Sequence, residues 1–137
     1  MNKRTLPIFL AVFALMAASL ACSFGGELGL SNARTAFDSD GAQPTSVFAP
    51  SDAIYVVADL SNATTGTVVN SKWYYVSVEG VAPNTLIDEA DITIEDESFS
   101  GTVHFFFPAG SDWPVGAYAV ELYLNGTLIQ TVTFSVQ

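Results

Sequence analysis

From Ser31 to the C-terminus the sequence is a series of short runs in which apolar and polar residues alternate, each closed by turn residues. No helical spacing of apolar residues persists beyond a turn or two, so the pattern commits the chain to strands. The runs are Arg34–Phe37, Val47-Phe48, Ala53–Leu60, Thr67–Val78, Leu86–Ile94, Phe99–Phe107, Gly116–Leu124 and Leu128–Val136. Ile54, Val56, Ala58 and Leu60 share one face of the third run, which makes that face a candidate for the core. The last two runs are joined by Asn125-Gly126, a pair suited to a two-residue hairpin turn because both positions there need positive φ. Strands of this length and spacing predict an all-β fold, an antiparallel sandwich of about seven strands, with a small closed barrel as the other architecture the pattern allows. Parallel pairing is not expected, because no run offers a crossover helix.

Two segments resemble immunoglobulin-like domains. Asp112-Trp113-Pro114-Val115-Gly116-Ala117-Tyr118-Ala119-Val120 is similar to the entry to their sixth strand, where a tyrosine hydroxyl bonds back to nearby backbone. The resemblance implies that Val120 stands where antibody domains carry their second cysteine, and that Trp73 is the core tryptophan of the third strand. Lys72 and Tyr74 then occupy the opposite face, although Val76 and Val78 alternate onto that same outer face. The span from Ser31 to Val136 also resembles small domains of bacterial lipoproteins. The likeness lies in Phe48-Ala49-Pro50-Ser51-Asp52, Lys72-Trp73-Tyr74, Leu86-Ile87-Asp88-Glu89-Ala90 and Leu122-Tyr123-Leu124-Asn125-Gly126-Thr127-Leu128. It implies a fold and a location, and no catalytic residue.

The N-terminus points to the same location. Lys3 and Arg4 precede an apolar run from Leu6 to Ala18, and Ser19-Leu20-Ala21-Cys22 follows. An ordinary secretory signal would release a soluble protein, and an uncleaved membrane helix would need about 20 apolar residues without an early proline such as Pro7. The segment resembles a lipoprotein signal with its lipobox, although Ser19 stands where Leu is usual. That reading accounts for the chain's one cysteine, and it implies a diacylglyceryl group on the Cys22 sulfur and anchoring at the extracytoplasmic face of a cell membrane. Residues 1–21 are thus expected to be a signal peptide, 22–30 a lipidated, Gly-rich tether, and 31–137 the sandwich domain.

Charge narrows the partners. Once Lys3 and Arg4 leave with the signal peptide, Arg34 and Lys72 oppose 14 carboxylates, which leaves twelve net negative charges. Nucleic acid is excluded as a partner, because phosphate binding needs clustered Lys and Arg. A single lipidated cysteine permits no disulfide, and with one histidine it permits no zinc site. No cofactor is implied.

Few residues stand out as candidates for chemistry. His104 lies mid-strand in Val103-His104-Phe105-Phe106-Phe107, and no nucleophile elbow accompanies it, so catalysis is not expected. Asp38-Ser39-Asp40-Gly41 opens like a calcium loop but lacks the later carboxylates. The acidic cluster Asp88, Glu89, Asp91, Glu95, Asp96 and Glu97 reads as a charged edge and loop that discourage strand addition, with a weak cation site as the other reading. Trp113 in a loop and Tyr74 and Tyr123 on outer faces are the binding candidates, with a loop tryptophan that caps the open end of the sandwich as the other reading of Trp113. The functional expectation is a non-catalytic, lipid-anchored binding module of the bacterial envelope. Its partner would be another envelope protein or, alternatively, a carbohydrate stacked on Trp113, Tyr74 and Tyr123.

Overall fold

The computed structural model describes residues 26–137, which form eight strands and no helix: β1 Gly29–Ala36, β2 Val47–Phe48, β3 Ile54–Ala63, β4 Val68–Val78, β5 Thr85–Thr93, β6 Phe99–Phe107, β7 Gly116–Leu124 and β8 Thr127–Val136. They build a β-sandwich. One sheet has the order β1-β3-β6 and the other β2-β8-β7-β4-β5. Read as A, B and E facing A′, G, F, C and C′, this is the strand arrangement of an immunoglobulin-like sandwich without a D strand.

The alternation in the sequence fixes which faces meet. Ile54, Val56, Ala58 and Leu60 are buried against Val69, Trp73, Val120 and Leu122 of the other sheet. Trp73 pairs across the strands with Val120, and its indole N–H donates to the buried Ser71 hydroxyl at 3.1 Å. Val76 and Val78 do not share a face: the register shifts between Tyr75 and Ser77, and that bulge turns Val78 into the core. The β7–β8 hairpin turns on Asn125 at φ 48° and Gly126 at φ 84°, the two positive angles its sequence predicted.

Two expectations need correction. The strand β1 begins at Gly29, inside the stretch expected as tether, because Leu30 pairs with Leu60 and is only 5% exposed. One buried leucine among Gly, Ser and Asn leaves too weak an alternation to be read. The second concerns pairing: β2 runs parallel to β8, with Val47 opposite Ser135 and Phe48 opposite Val136. The crossover rule governs strands adjacent in sequence, whereas β2 and β8 lie at opposite ends of the domain. The chain leaves β1 in one sheet, loops through residues 37–46 and enters the other sheet beside β8.

The tyrosine corner forms as the resemblance implied. The Tyr118 hydroxyl donates to the Pro114 carbonyl at 2.5 Å, and its ring stacks on Phe134 with centroids 5.1 Å apart. Burial, reinforced by Tyr75, pushes the phenol up to about 12. Below pH 10 both folded and unfolded chains hold this proton. Between about 10 and 12 only the folded chain holds it, so stability falls as pH rises. Tyr118→Phe is expected to flatten that alkaline fall and to lower stability at neutral pH by about 1–2 kcal/mol, since the Pro114 carbonyl loses its donor. Urea midpoints measured from pH 8 to 12 check both effects; an unchanged alkaline slope would assign the fall to other groups.

Candidate binding surface

The outer face of the five-stranded sheet gathers polar and aromatic side chains in cross-strand rows. Between β4 and β7, Asn70 stands opposite Tyr123, Lys72 opposite Glu121 and Tyr74 opposite Ala119. Between β4 and β5, Asn70 faces Asp91 and Lys72 faces Glu89. Lys72 thus sits between two glutamates, and its Nζ lies over the Tyr123 ring, 4.8 Å from the centroid. The Tyr123 hydroxyl donates to Glu121 Oε1 at 2.9 Å, and Asn70 Nδ2 donates to the Asp91 carboxylate. The bond to Glu121 raises the Tyr123 phenol above its ordinary value; for Tyr74 partial burial does so first, with Glu121 adding to it. Both phenols therefore stay neutral donors across the physiological range. Glu121, which nothing in the sequence singled out, holds the Tyr123 hydroxyl and lies beside Tyr74. Its signal was its alternation with Tyr123 along β7.

Tyr74 and Tyr123 accordingly lie where they were expected, half-buried on this outer face. Trp113 does not. It is 6% exposed, and its ring packs edge-on against Phe107 at 5.0 Å and Tyr118 at 4.9 Å, closing one end of the sandwich. The loop that carries it is drawn in by two backbone bonds, from Trp113 N to the Pro50 carbonyl and from Gly110 N to the Ser51 carbonyl, both 2.9 Å. Those long-range bonds leave no trace in the local sequence, which is why a loop tryptophan between Asp and Pro leaves both the exposed and the capping readings open.

His104 is exposed on the outer face of the three-stranded sheet, with ring centroids 5.9 Å from Tyr55 and 6.1 Å from Phe106. Tyr55 and Phe106 stack at 5.2 Å beside it, and no serine or aspartate bonds to the imidazole among the described residues. The Asp38 carboxylate accepts the backbone N–H groups of Ala42 and Gln43 at 3.1 and 2.9 Å, so it holds its own turn. The acidic cluster lies on an edge and a loop, as expected: Asp88, Glu89 and Asp91 are on β5, the free edge of the larger sheet, and residues 95–97 follow in the loop to β6. Among the described residues, no three His, Cys, Asp or Glu side chains gather as a metal site would require. Cys22 and the signal segment lie outside the described residues.

No protein-family model and no curated protein matches the chain. Among solved structures, it is similar to the Pseudomonas fluorescens alkylpurine DNA glycosylase AlkC bound to DNA containing an abasic-site analogue. That match has 14% identity and a TM-score of 0.51, and covers 81% of this chain and 30% of that one. It is also similar to a β-D-glucoside glucohydrolase from Trichoderma reesei, at 19% identity and a TM-score of 0.47 over 81% of this chain and 19% of that one. A third is the C-terminal domain of wzt, at 9% identity and a TM-score of 0.48 over 82% of this chain and 75% of that one. The chain thus spans less than a third of the first two proteins, and at 14% identity the likeness to the first is one of fold alone.

Proposed function

We propose that this protein is a non-catalytic binding module held on the outer side of a bacterial membrane by a lipid on Cys22. The observation that best supports binding is the ordered outer face of the five-stranded sheet, where Glu121, Tyr123 and Lys72 hold one another in place beside Tyr74. Groups already fixed by their neighbours lose little entropy when a partner docks on them. The short link to Cys22 suits display near a surface. Six residues separate Cys22 from Gly29, and even fully extended they span about 25 Å. A partner in the envelope is the primary reading. A carbohydrate is the second, supported by Tyr74 and Tyr123 on one face, and it no longer draws on Trp113.

Anchoring is tested in cells expressing the full chain. Radiolabelled palmitate is expected to enter the wild type and to be absent from Cys22→Ala, which should move from the membrane to the soluble fraction. Equal labelling of the two would overturn the anchor.

A further inference from the structure

One long side of the sandwich is open. The edges on the opposite side are joined where the chain passes from β1 to β2. Here β5 ends the larger sheet and β6 the smaller, and no described strand pairs with the outer edge of either. Between them runs a groove with Trp73, Phe105 and Phe107 on its apolar floor and Asp88, Glu89 and His104 along its walls. A second recess meets it at Phe107 and continues past Ile87 to Trp113 and Asp112. The two form one cleft along β5.

Three independent features of this cleft ask for the same occupant. Free strand edges present unpaired backbone groups that an extended chain satisfies by adding as a strand. The β5 wall is acidic: Asp88 and Glu89 line the groove, β5 holds no Lys or Arg, and Asp112 lines the recess at the far end. Finally, the Trp113 Nε1 at the far end is buried and has no hydrogen-bond partner among the described residues. Buried indole N–H groups ordinarily find an acceptor, and one left unpaired destabilises the fold that holds it.

We propose that the cleft between β5 and β6 takes an extended, Lys- or Arg-bearing segment of a partner protein, which adds as a strand along the open side and offers a carbonyl to the Trp113 indole. The acidic edge then acts as a filter. It repels acidic strands, including those of further copies of this chain, and attracts basic ones. Phe106, 52% exposed on the neighbouring face of β6, extends the apolar surface such a segment could cover.

The proposal rests on the reading of the domain as a binding module, and the test separates the two. Isotope-labelled full chain in detergent micelles is titrated with a capped peptide of alternating Lys and Val, and in parallel with the same peptide carrying Glu for Lys. Saturable amide shifts are expected on β5 and β6, together with a shift of the Trp113 indole N–H. The Glu peptide should bind at least about tenfold more weakly, and Asp88→Lys should weaken the Lys peptide by about tenfold while leaving the other resonances in place. Absence of saturable shifts, equal binding of the two peptides, or indifference to Asp88→Lys would overturn the proposal. The same holds if a neutral oligosaccharide shifts these residues equally. Shifts confined to the face around Tyr123 would remove the cleft and leave the binding-module reading standing. Failure of Cys22 to label would strike the anchor and leave the cleft.

Discussion

Gly116→Ala is expected to cost the domain about 3–5 kcal/mol, a large part of the 5–15 kcal/mol typical of a whole domain. Gly116 opens β7 with φ at 153°, where side chains are rarely accommodated. A Cβ there would stand 2.4 Å from the Ser77 carbonyl oxygen and 2.7 Å from Val78 Cγ2. The obstructing oxygen is backbone of β4, paired with β7 on the far side of a bulge, so it cannot swing aside as a flexible side chain would. The strained φ contributes about 2 kcal/mol, and overpacking adds about 1–3. Gly66→Ala and Gly110→Ala separate the two effects. Both positions have positive φ, at 90° and 83°, and open space where the Cβ would go. Each should cost about 1 kcal/mol. Urea unfolding of the three variants decides: equal losses would mean that the strands part to admit the methyl group.

The same residue illustrates what the sequence made legible. Gly116 and Tyr118 belong to a local motif, and a local motif suffices to place the tyrosine corner because its hydroxyl reaches back only four residues. The strands were legible for a similar reason. Apolar alternation is a short-range property, and the observed elements follow the predicted runs closely from Val47-Phe48 to the final hairpin. Tyr74 and Tyr123 followed from counting along β4 and β7. What local pattern could not carry is the meeting of distant segments. Trp113 is buried because residues 50 and 51 accept bonds from its loop, β2 lies beside β8 although nearly the whole domain separates them, and Leu30 is core only because Leu60 stands opposite. The open cleft is of that kind as well, since it exists only because β5 and β6 end different sheets on the same side. Its acidic wall was visible in the sequence as a charged edge; the apolar floor beneath it was not.

Trp73→Ala should be as damaging as Gly116→Ala, for the opposite reason. Trp73 is 2% exposed at the centre of the aromatic packing, with Phe107 edge-on at 4.9 Å and Phe134 at 6.0 Å. Truncation opens a cavity between two sheets whose strands are held by their ladders and cannot close around it, so a loss of about 3–5 kcal/mol is expected. At about 4 °C per kcal/mol, the melting temperature should fall by about 12–20 °C. Part of that cost is polar: without the indole, the buried Ser71 hydroxyl loses the donor now 3.1 Å away. Phenylalanine scans isolate this part. Trp73→Phe keeps an aromatic ring but deletes the bond, so packing loss and an unpaired hydroxyl add. Trp113→Phe deletes a buried N–H that has no partner among the described residues, so relief of that group offsets some of the lost packing. Trp73→Phe should therefore be the more destabilising by about 1–2 kcal/mol, although both tryptophans are almost equally buried. Thermal melts of the two variants check the order, and a larger loss at Trp113 would mean that its indole N–H is bonded in the native state.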